Sequence, residues 1–222
     1  ANGLNMSCFA PSFFKNISKD IKGKHFSTLL NDNVVFSIFK DQNNYWIGTS
    51  DGGLNLILED SAYYFQEDLN QTYSITGGTI RGIAKDSINN RMWFASTRGI
   101  SLMDLNTFDP ENPKFISINH DSQDSNSISS NFIRDITLDK NGVLWAATAS
   151  KGIFSIQYNS YNKFRIEKHQ HNSSNPRSLA SNNTYKITID KNNGIWVGTD
   201  NGLCYLPDTN NANNIVSWRN YK

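Results

Sequence analysis

Four tryptophans recur at nearly even spacing along this chain of 222 residues, and this spacing constrains the fold more than any other feature. Trp46, Trp93, Trp145 and Trp196 are separated by 47, 52 and 51 residues. Each is followed two residues later by Gly or Ala and three residues later by Thr or Ser. Because self-similarity at a fixed period of this order is typical of repeat architectures, we expect an array of similar units.

The sequence around each tryptophan repeats as well, and it predicts four short strands per unit. An apolar run ending in Asp precedes each tryptophan, with an isoleucine at the same place every time: Ile38, Ile83, Ile136 and Ile187. A short polar turn separates this run from the tryptophan strand, and a Gly followed by Leu or Ile opens the third strand. A more exposed fourth strand is predicted at 63–65, 115–118, 164–166 and 215–218. We name these strands a, b, c and d, from first to last.

A single four-stranded unit cannot bury both of its faces, whereas radial packing of several units can. The repeat therefore predicts an all-β fold, a β-propeller of four-stranded antiparallel blades in which the four tryptophans are structural core. The blades are predicted at 31–79, 80–131, 132–183 and 184–222. Residues 1–30 match strands c and d only, as a half blade. About four and a half blades predict a segment of a larger, seven-bladed propeller.

Composition excludes several functions. A net charge of +1 argues against a nucleic-acid partner, and no apolar run is long enough to contact a membrane as a span. Asn is unusually frequent, at 31 residues, which fits abundant turns.

Cys8 and Cys204 form no zinc motif. They are either two buried free thiols or a disulfide, if the chain ends meet.

No catalytic constellation, cofactor motif or metal site is evident. His169 and His171 offer two ligands in a polar loop with no third, so we interpret them as solvated. The repeated Asp41, Asp86, Asp139 and Asp190 precede polar turns, and we expect each to cap its own turn through backbone N–H groups.

Any ligand site is expected at one rim of the propeller, where the b–c and d–a loops converge. The b–c loops carry Asp51, Arg98, Lys151, Asp200 and Asn201, and strand a begins with Arg81, Arg134, Tyr185 and Lys186. Such polar groups with an aromatic ring suit a sugar or a partner protein. The long d–a loops at 66–79, 119–131 and 167–183 are either lids, interfaces or disordered segments.

The repeat resembles the two-component regulator propeller repeat, with consensus V-x-S-I-x-x-D-x-x-G-x-L-W-I-G-T-x-x-G-G-L. Residues 35–54 read V-F-S-I-F-K-D-Q-N-N-Y-W-I-G-T-S-D-G-G-L, and residues 187–203 match nearly as well. The segments S-I-S-S-N at 127–131 and S-L-A-S-N at 178–182 resemble the family's lead-in. The second unit departs most, with Arg91 at the turn glycine and Ala95-Ser96 for Gly-Thr.

The resemblance implies a non-catalytic, periplasmic sensor segment of a Bacteroidetes hybrid two-component histidine kinase. Its expected ligand is an oligosaccharide, and its expected partners are the rest of the sensor ectodomain and a second copy in a homodimer. The alternative is a structural propeller for protein–protein interaction without a small-molecule ligand. An enzyme would need clustered His or carboxylate groups at the axis, which the axial positions do not supply.

Overall fold

The computed structural model describes residues 30–58, 61–158, 164–207 and 217–222. Within these ranges the chain contains strands and turns but no helix, and therefore none long and apolar enough to cross a membrane. The strands form four antiparallel sheets, each a meander in chain order. We call these sheets blades I to IV.

Each blade contains the four predicted strands. Blade I comprises β1 (Val35–Asp41), β2 (Asn44–Thr49), β3 (Leu54–Ile57) and β4 (Ala62–Phe65). Blade II comprises β5 (Ile80–Asp86), β6 (Arg91–Ser96), β7 (Gly99–Asp104) and β8 (Ile116–Ile118). Blade III comprises β9 (Ile133–Leu138), β10 (Leu144–Thr148), β11 (Ile153–Tyr158) and β12 (Phe164–His169). Blade IV comprises β13 (Thr184–Ile189), β14 (Ile195–Thr199), β15 (Gly202–Leu206) and β16 (Arg219–Tyr221).

The prediction of an all-β fold built from four-stranded antiparallel blades is confirmed. The a strands β1, β5, β9 and β13 pack against one another in succession, which places them on the inner side of the arc. The half blade predicted at 1–30 lies, apart from its last residue, outside the described residues, and the seven-bladed ring remains a prediction.

Strand d differs from its predicted bounds. In blade III it continues to His169, because β12 pairs with β11 along its whole length, from Phe164 opposite Tyr158 to His169 opposite Ile153. Its charged residues are tolerated because the strand lies at the sheet edge. The predicted loop at 167–183 is therefore shorter, at 170–183.

In blades II and IV strand d begins later than predicted. Phe115 and Trp218 lie just before β8 and β16, and both are buried. Their N–H groups donate to carbonyls of the preceding d–a loop, Phe115 to Tyr73 at 3.0 Å and Trp218 to Arg177 at 2.9 Å. These two residues therefore anchor that loop before strand d begins. Residues 215 and 216 of the predicted strand lie outside the described residues.

The aspartates at the ends of the a strands mostly cap their turns, as expected. Oδ1 of Asp139 accepts the N–H groups of Asn141 and Val143 at 2.8 and 3.0 Å. Asp86 and Asp190 do the same in their own blades. The prediction is wrong for Asp41, which instead forms an ion pair of 2.7 Å with Lys85 of blade II, because its turn is shorter.

The buried clusters lie between blades. One joins blades I and II around Trp46, Phe94 and Phe115, a second joins blades II and III around Trp93 and Phe154, and a third joins blades III and IV. Trp46, Trp93 and Trp145 are buried in these clusters. Trp196 is half-buried and stacks on Tyr205, with ring centroids 4.3 Å apart.

The small residue two places after each tryptophan allows close approach of the next blade at one clear position. A Cβ atom on Gly48 would meet the carbonyl oxygen of Ile80 and the hydroxyl of Ser37. Gly198 occupies the same place in blade IV, but a Cβ there would meet nothing nearer than the carbonyl oxygen of Lys186, at 4.0 Å. Gly48 thus permits the close approach of blade II, whereas no described blade follows blade IV at Gly198.

The d–a loops pack against the blades in the described residues. Each buries at least one large apolar side chain, and these are Ile75, Ile128 and Leu179. The Ser127 hydroxyl accepts the N–H of Asp121 at 2.9 Å, and the Ser178 hydroxyl accepts that of Asn172 at 2.8 Å. These buried side chains and internal hydrogen bonds hold the loops to the blades.

Candidate functional site

The b–c turns and the starts of the a strands lie at the same end of every blade, which we call the rim. In each blade an N–H of the b–c turn donates to the carbonyl of a residue just before strand a, for example Asp200 to Asn183 at 3.2 Å. The equivalent bonds join Ser50 to Val34, Thr97 to Thr79 and Ala149 to Phe132. The two sets of predicted site residues therefore share one end of the molecule.

A repeated clamp shapes the b–c turns. The hydroxyl three residues after each tryptophan donates to the carbonyl of a turn glycine, in the pairs Thr49–Gly53, Ser96–Gly99, Thr148–Gly152 and Thr199–Gly202, at 2.7 to 3.0 Å. All four glycines have positive φ values, from 68° to 134°, a backbone conformation that other residues adopt poorly. The Thr/Ser and Gly of the repeat thus build the rim.

A β-bulge interrupts every a strand at its second residue. The pairing register skips the same position in all four blades, which is Phe36, Arg81, Arg134 and Tyr185. A bulged residue is left out of the ladder and its side chain is re-aimed, a device common next to functional sites. Three of these residues were predicted as site residues. Phe36 was missed, although its position two residues before Ile38 matches theirs.

The bulged residues form two groups along the inner side of the rim. In the first, the guanidinium carbon of Arg81 lies 4.4 Å from the ring centroid of Phe36 and 5.5 Å from that of Phe132. These rings come from the blades on either side. Phe36 and Phe132 are exposed, at 42% and 40%. Their faces are thus available to solvent beside a cation.

The second group centres on Arg134 and Tyr185. The Arg134 guanidinium carbon lies 4.4 Å from the Tyr185 ring centroid, and its Nη1 donates to Asn183 Oδ1 at 2.7 Å. Asn183 Nδ2 in turn donates to Asp200 Oδ2 at 2.9 Å. Hydrogen bonds from Ser181 and Asn183 hold the pKa of Asp200 below its ordinary value. Three predicted residues are therefore brought together here, with Asn183 as the link.

The remaining predicted residues do not join these groups. Arg98 pairs with Glu67 at 2.6 Å and Lys186 with Asp135 at 3.0 Å. Asn201 Nδ2 donates to the Ala180 carbonyl at 3.2 Å and so supports the d–a loop. The side chains of Asp51 and Lys151 are exposed on their turns.

A different cavity, of 270 Å³, lies between the outer strands of blades II and III and was not predicted. Its lining includes Tyr73, Arg91, Lys114 and Tyr158. The guanidinium carbon of Arg91 lies 3.5 Å from the Tyr158 ring centroid. The departure of Arg91 from the repeat thus has a structural use, which is to join two blades.

The interpretation of the two neighbouring histidines as solvated is wrong for His169, which ends β12 and is largely buried. His169 stacks on Trp145, with ring centroids 5.3 Å apart, and burial lowers its pKa. His171 Nδ1 lies 2.7 Å from the Leu179 carbonyl at the base of a d–a loop. Across the described ranges, no group of three or more His, Cys, Asp and Glu side chains is placed to hold a metal ion.

The family model for the two-component regulator propeller matches the chain at residues 29–51, 127–150 and 178–201. These matches fall at the strand a and b regions of blades I, III and IV. The corresponding segment of blade II, where Arg91 and Ala95-Ser96 depart from the repeat, is not among them. No curated protein sequence matches the chain.

Solved structures share the fold. The extracellular domain of a hybrid two-component system of B. thetaiotaomicron, BT3049, is 24% identical, with a TM-score of 0.64 over 86% of this chain. That of BT4673, from the same organism, is 21% identical, with a TM-score of 0.61 over 79% of this chain. The WD40 β-propeller domain of Doa1 is 14% identical, with a TM-score of 0.54 over 82% of this chain and 53% of its own. The chain spans only 25% and 22% of the two B. thetaiotaomicron domains.

Proposed function

This chain carries repeats of the two-component regulator propeller family, and from that premise we propose that it is a ligand-binding segment of an extracytoplasmic sensor. The segment is non-catalytic and belongs to the ectodomain of a hybrid two-component histidine kinase. The rest of that ectodomain is its first partner, and its location is periplasmic. The ligand is an oligosaccharide.

The observation that carries this proposal is the repeated bulge at the rim. Four blades direct the same position toward the inner side, and the side chains there are two rings and two cations. None of them serves the buried clusters between blades. Exposed rings offer apolar faces to the C–H groups of a sugar, and polar neighbours offer hydrogen bonds to its hydroxyls.

Calorimetric titration of the full chain and of its parent ectodomain with a panel of oligosaccharides tests the proposal. We expect saturable binding of at least one oligosaccharide and its loss in Tyr185→Ala. Tyr45→Ala is the matched control, because Tyr45 is also an exposed tyrosine but lies beside the a–b turn, at the opposite end of its blade. Absence of binding to the whole panel, or equal losses in the two variants, contradicts the proposal.

A protein-interaction propeller is the second candidate, and the exposed apolar side chains on the a strand of blade I favour it. Val34 just before β1, and Phe36 and Ile38 within it, are all exposed. Blade I is the first described blade, so this surface is open to a further blade or to a partner protein. Light scattering separates the two functions. A stable homodimer of the parent ectodomain that binds no oligosaccharide would favour the second candidate over the first.

A further inference from the structure

The charge of Arg81 at the rim is not balanced by an ion pair in the described part of the chain. Arg98 and Lys186 pair with carboxylates, and Arg134 donates to the oxygens of Asn183 and Thr184. Arg81 has no such acceptor in the ranges that the structure describes, and its Nε is buried without a hydrogen-bond partner. A partly buried cation without a counter-ion is unfavourable unless something else compensates it.

The fold does not require a cation at this position. The same bulged position holds Phe36 in blade I and Tyr185 in blade IV, so the bulge forms equally well around neutral rings. The positive charge in blade II is therefore not explained by the architecture of the repeat. The two neighbouring rings compensate part of this charge, and a negative group that arrives from outside the chain would compensate the rest.

The surroundings of Arg81 orient it for such a group. The rings of Phe36 and Phe132 lie against the guanidinium. Because Nε is buried, the in-plane N–H groups of the two Nη atoms are the donors left for a ligand. A guanidinium edge matches the two oxygens of a carboxylate or sulfate in a bidentate arrangement. The same two rings are partly exposed beside the guanidinium, at 42% and 40%.

We propose that the rim recognises an acidic sugar, and that Arg81 binds its carboxylate or sulfate group while Phe36 and Phe132 contact the sugar ring. The inference rests on the proposed function, because it specifies the class of oligosaccharide bound at the same site. Carboxylate and sulfate share the chemistry that the site selects, and separate arms of the experiment distinguish them.

Calorimetric titration of the full chain with tetrasaccharides in matched pairs tests this. The carboxylate arm uses oligogalacturonate against its methyl ester, and hyaluronan oligosaccharide against its carboxyl-reduced form. The sulfate arm uses a sulfated galactan oligosaccharide against its desulfated form. We expect at least one acidic member to bind roughly ten- to a hundredfold more tightly than its neutral partner, since hydrogen bonds to charged groups have about this strength.

The variant Arg81→Gln should abolish the preference for the acidic member, so that the acidic and the neutral member bind with equal affinity. Arg165→Gln is the matched control, because it removes one positive charge from an exposed arginine of β12, where it pairs with Glu167. Thermal unfolding followed by circular dichroism checks that both variants fold.

The possible outcomes separate this inference from the proposed function. If acidic and neutral oligosaccharides bind equally, or if Arg81→Gln and Arg165→Gln behave alike, the inference is overturned and the sensor function stands. If no oligosaccharide of either kind binds, both are overturned together. If Arg81→Gln alone loses the acidic preference, both are supported.

Discussion

The indole Nε1 of Trp196 donates a hydrogen bond to Asp190 Oδ2 at 3.1 Å, across the hairpin that joins strands a and b of blade IV. Trp145 and Asp139 repeat this bond at 3.3 Å in blade III. In both blades six residues separate the aspartate from the tryptophan. The separation is seven in blade II, and there the Nε1 of Trp93 is buried without a partner in the described chain. Hairpin length thus decides whether the aspartate that caps the turn also holds the tryptophan.

Replacing Asp139 by Ala should destabilise the chain by about 2–3 kcal/mol, because the backbone N–H groups of Asn141 and Val143 and the buried indole of Trp145 lose their acceptor together. Asp41→Ala is the matched control. It removes a half-exposed ion pair and should cost about 0–1 kcal/mol. Urea unfolding measures both, and equal losses would rule out the difference in role that the structure shows.

Gly48→Ala should cost about 1–3 kcal/mol, because the added methyl group meets the Ile80 carbonyl of the next blade. Gly198→Ala, at the same place in the repeat, should be neutral or slightly stabilising, because space is open there and the unfolded chain loses freedom. Thermal unfolding of the two variants checks this. If both lose stability to the same extent, the close approach at Gly48 is not the cause.

His169 should make the chain less stable in mild acid. Burial against Trp145 lowers its pKa in the folded state below the ordinary value of 6.5, so the unfolded state binds the proton more readily. Stability from this group is therefore complete above pH of about 6.5 and falls as the pH drops toward the folded-state pKa.

The variant His169→Phe lacks this titration. The free energy of unfolding of the natural chain minus that of the variant, measured in urea from pH 7.5 to pH 5, should decrease with acidification. A difference that stays constant over this range would show that His169 accepts a proton equally well in both states.

Cys204 should resist modification while the chain is folded. It is a buried free thiol, its sulfur accepts the N–H of Ala180 at 3.2 Å, and burial raises its pKa, so the reactive thiolate is scarce. In a Cys8→Ser background, a thiol reagent should label Cys204 at least about a hundredfold faster in concentrated urea than in buffer. Similar rates in the two solvents would contradict its burial. Cys8 itself lies outside the described residues.

The blades were predictable because the sequence of each repeat unit predicts the same four strands independently of the others. The inward position of the bulged residues was partly predictable, since Arg81, Arg134 and Tyr185 precede the shared isoleucine by two residues. The bulge itself was not, because it is a property of hydrogen-bond register and an a strand with or without it has the same composition.

Other parts of the site left no signal in the sequence. Phe132 and Asn183 occupy one position in the repeat, yet blades I and II hold Val34 and Thr79 there. A position without chemical similarity between units is indistinguishable from a variable loop. The ion pairs of Arg98 and Lys186 could not be predicted from the sequence either, because their partners Glu67 and Asp135 lie 31 and 51 residues away along the chain.

The placement of the buried clusters has a consequence for how such a chain gains stability. Each cluster takes one face from each of two blades. Each junction between neighbouring blades therefore adds stability, and an isolated blade has no such junction. A cut inside one blade weakens the junctions on both of its sides, whereas removal of a whole internal repeat deletes two junctions and forms one new junction of the same kind. We therefore expect cooperativity to pass from neighbour to neighbour along the array, with whole repeats as the pieces that can be gained or lost.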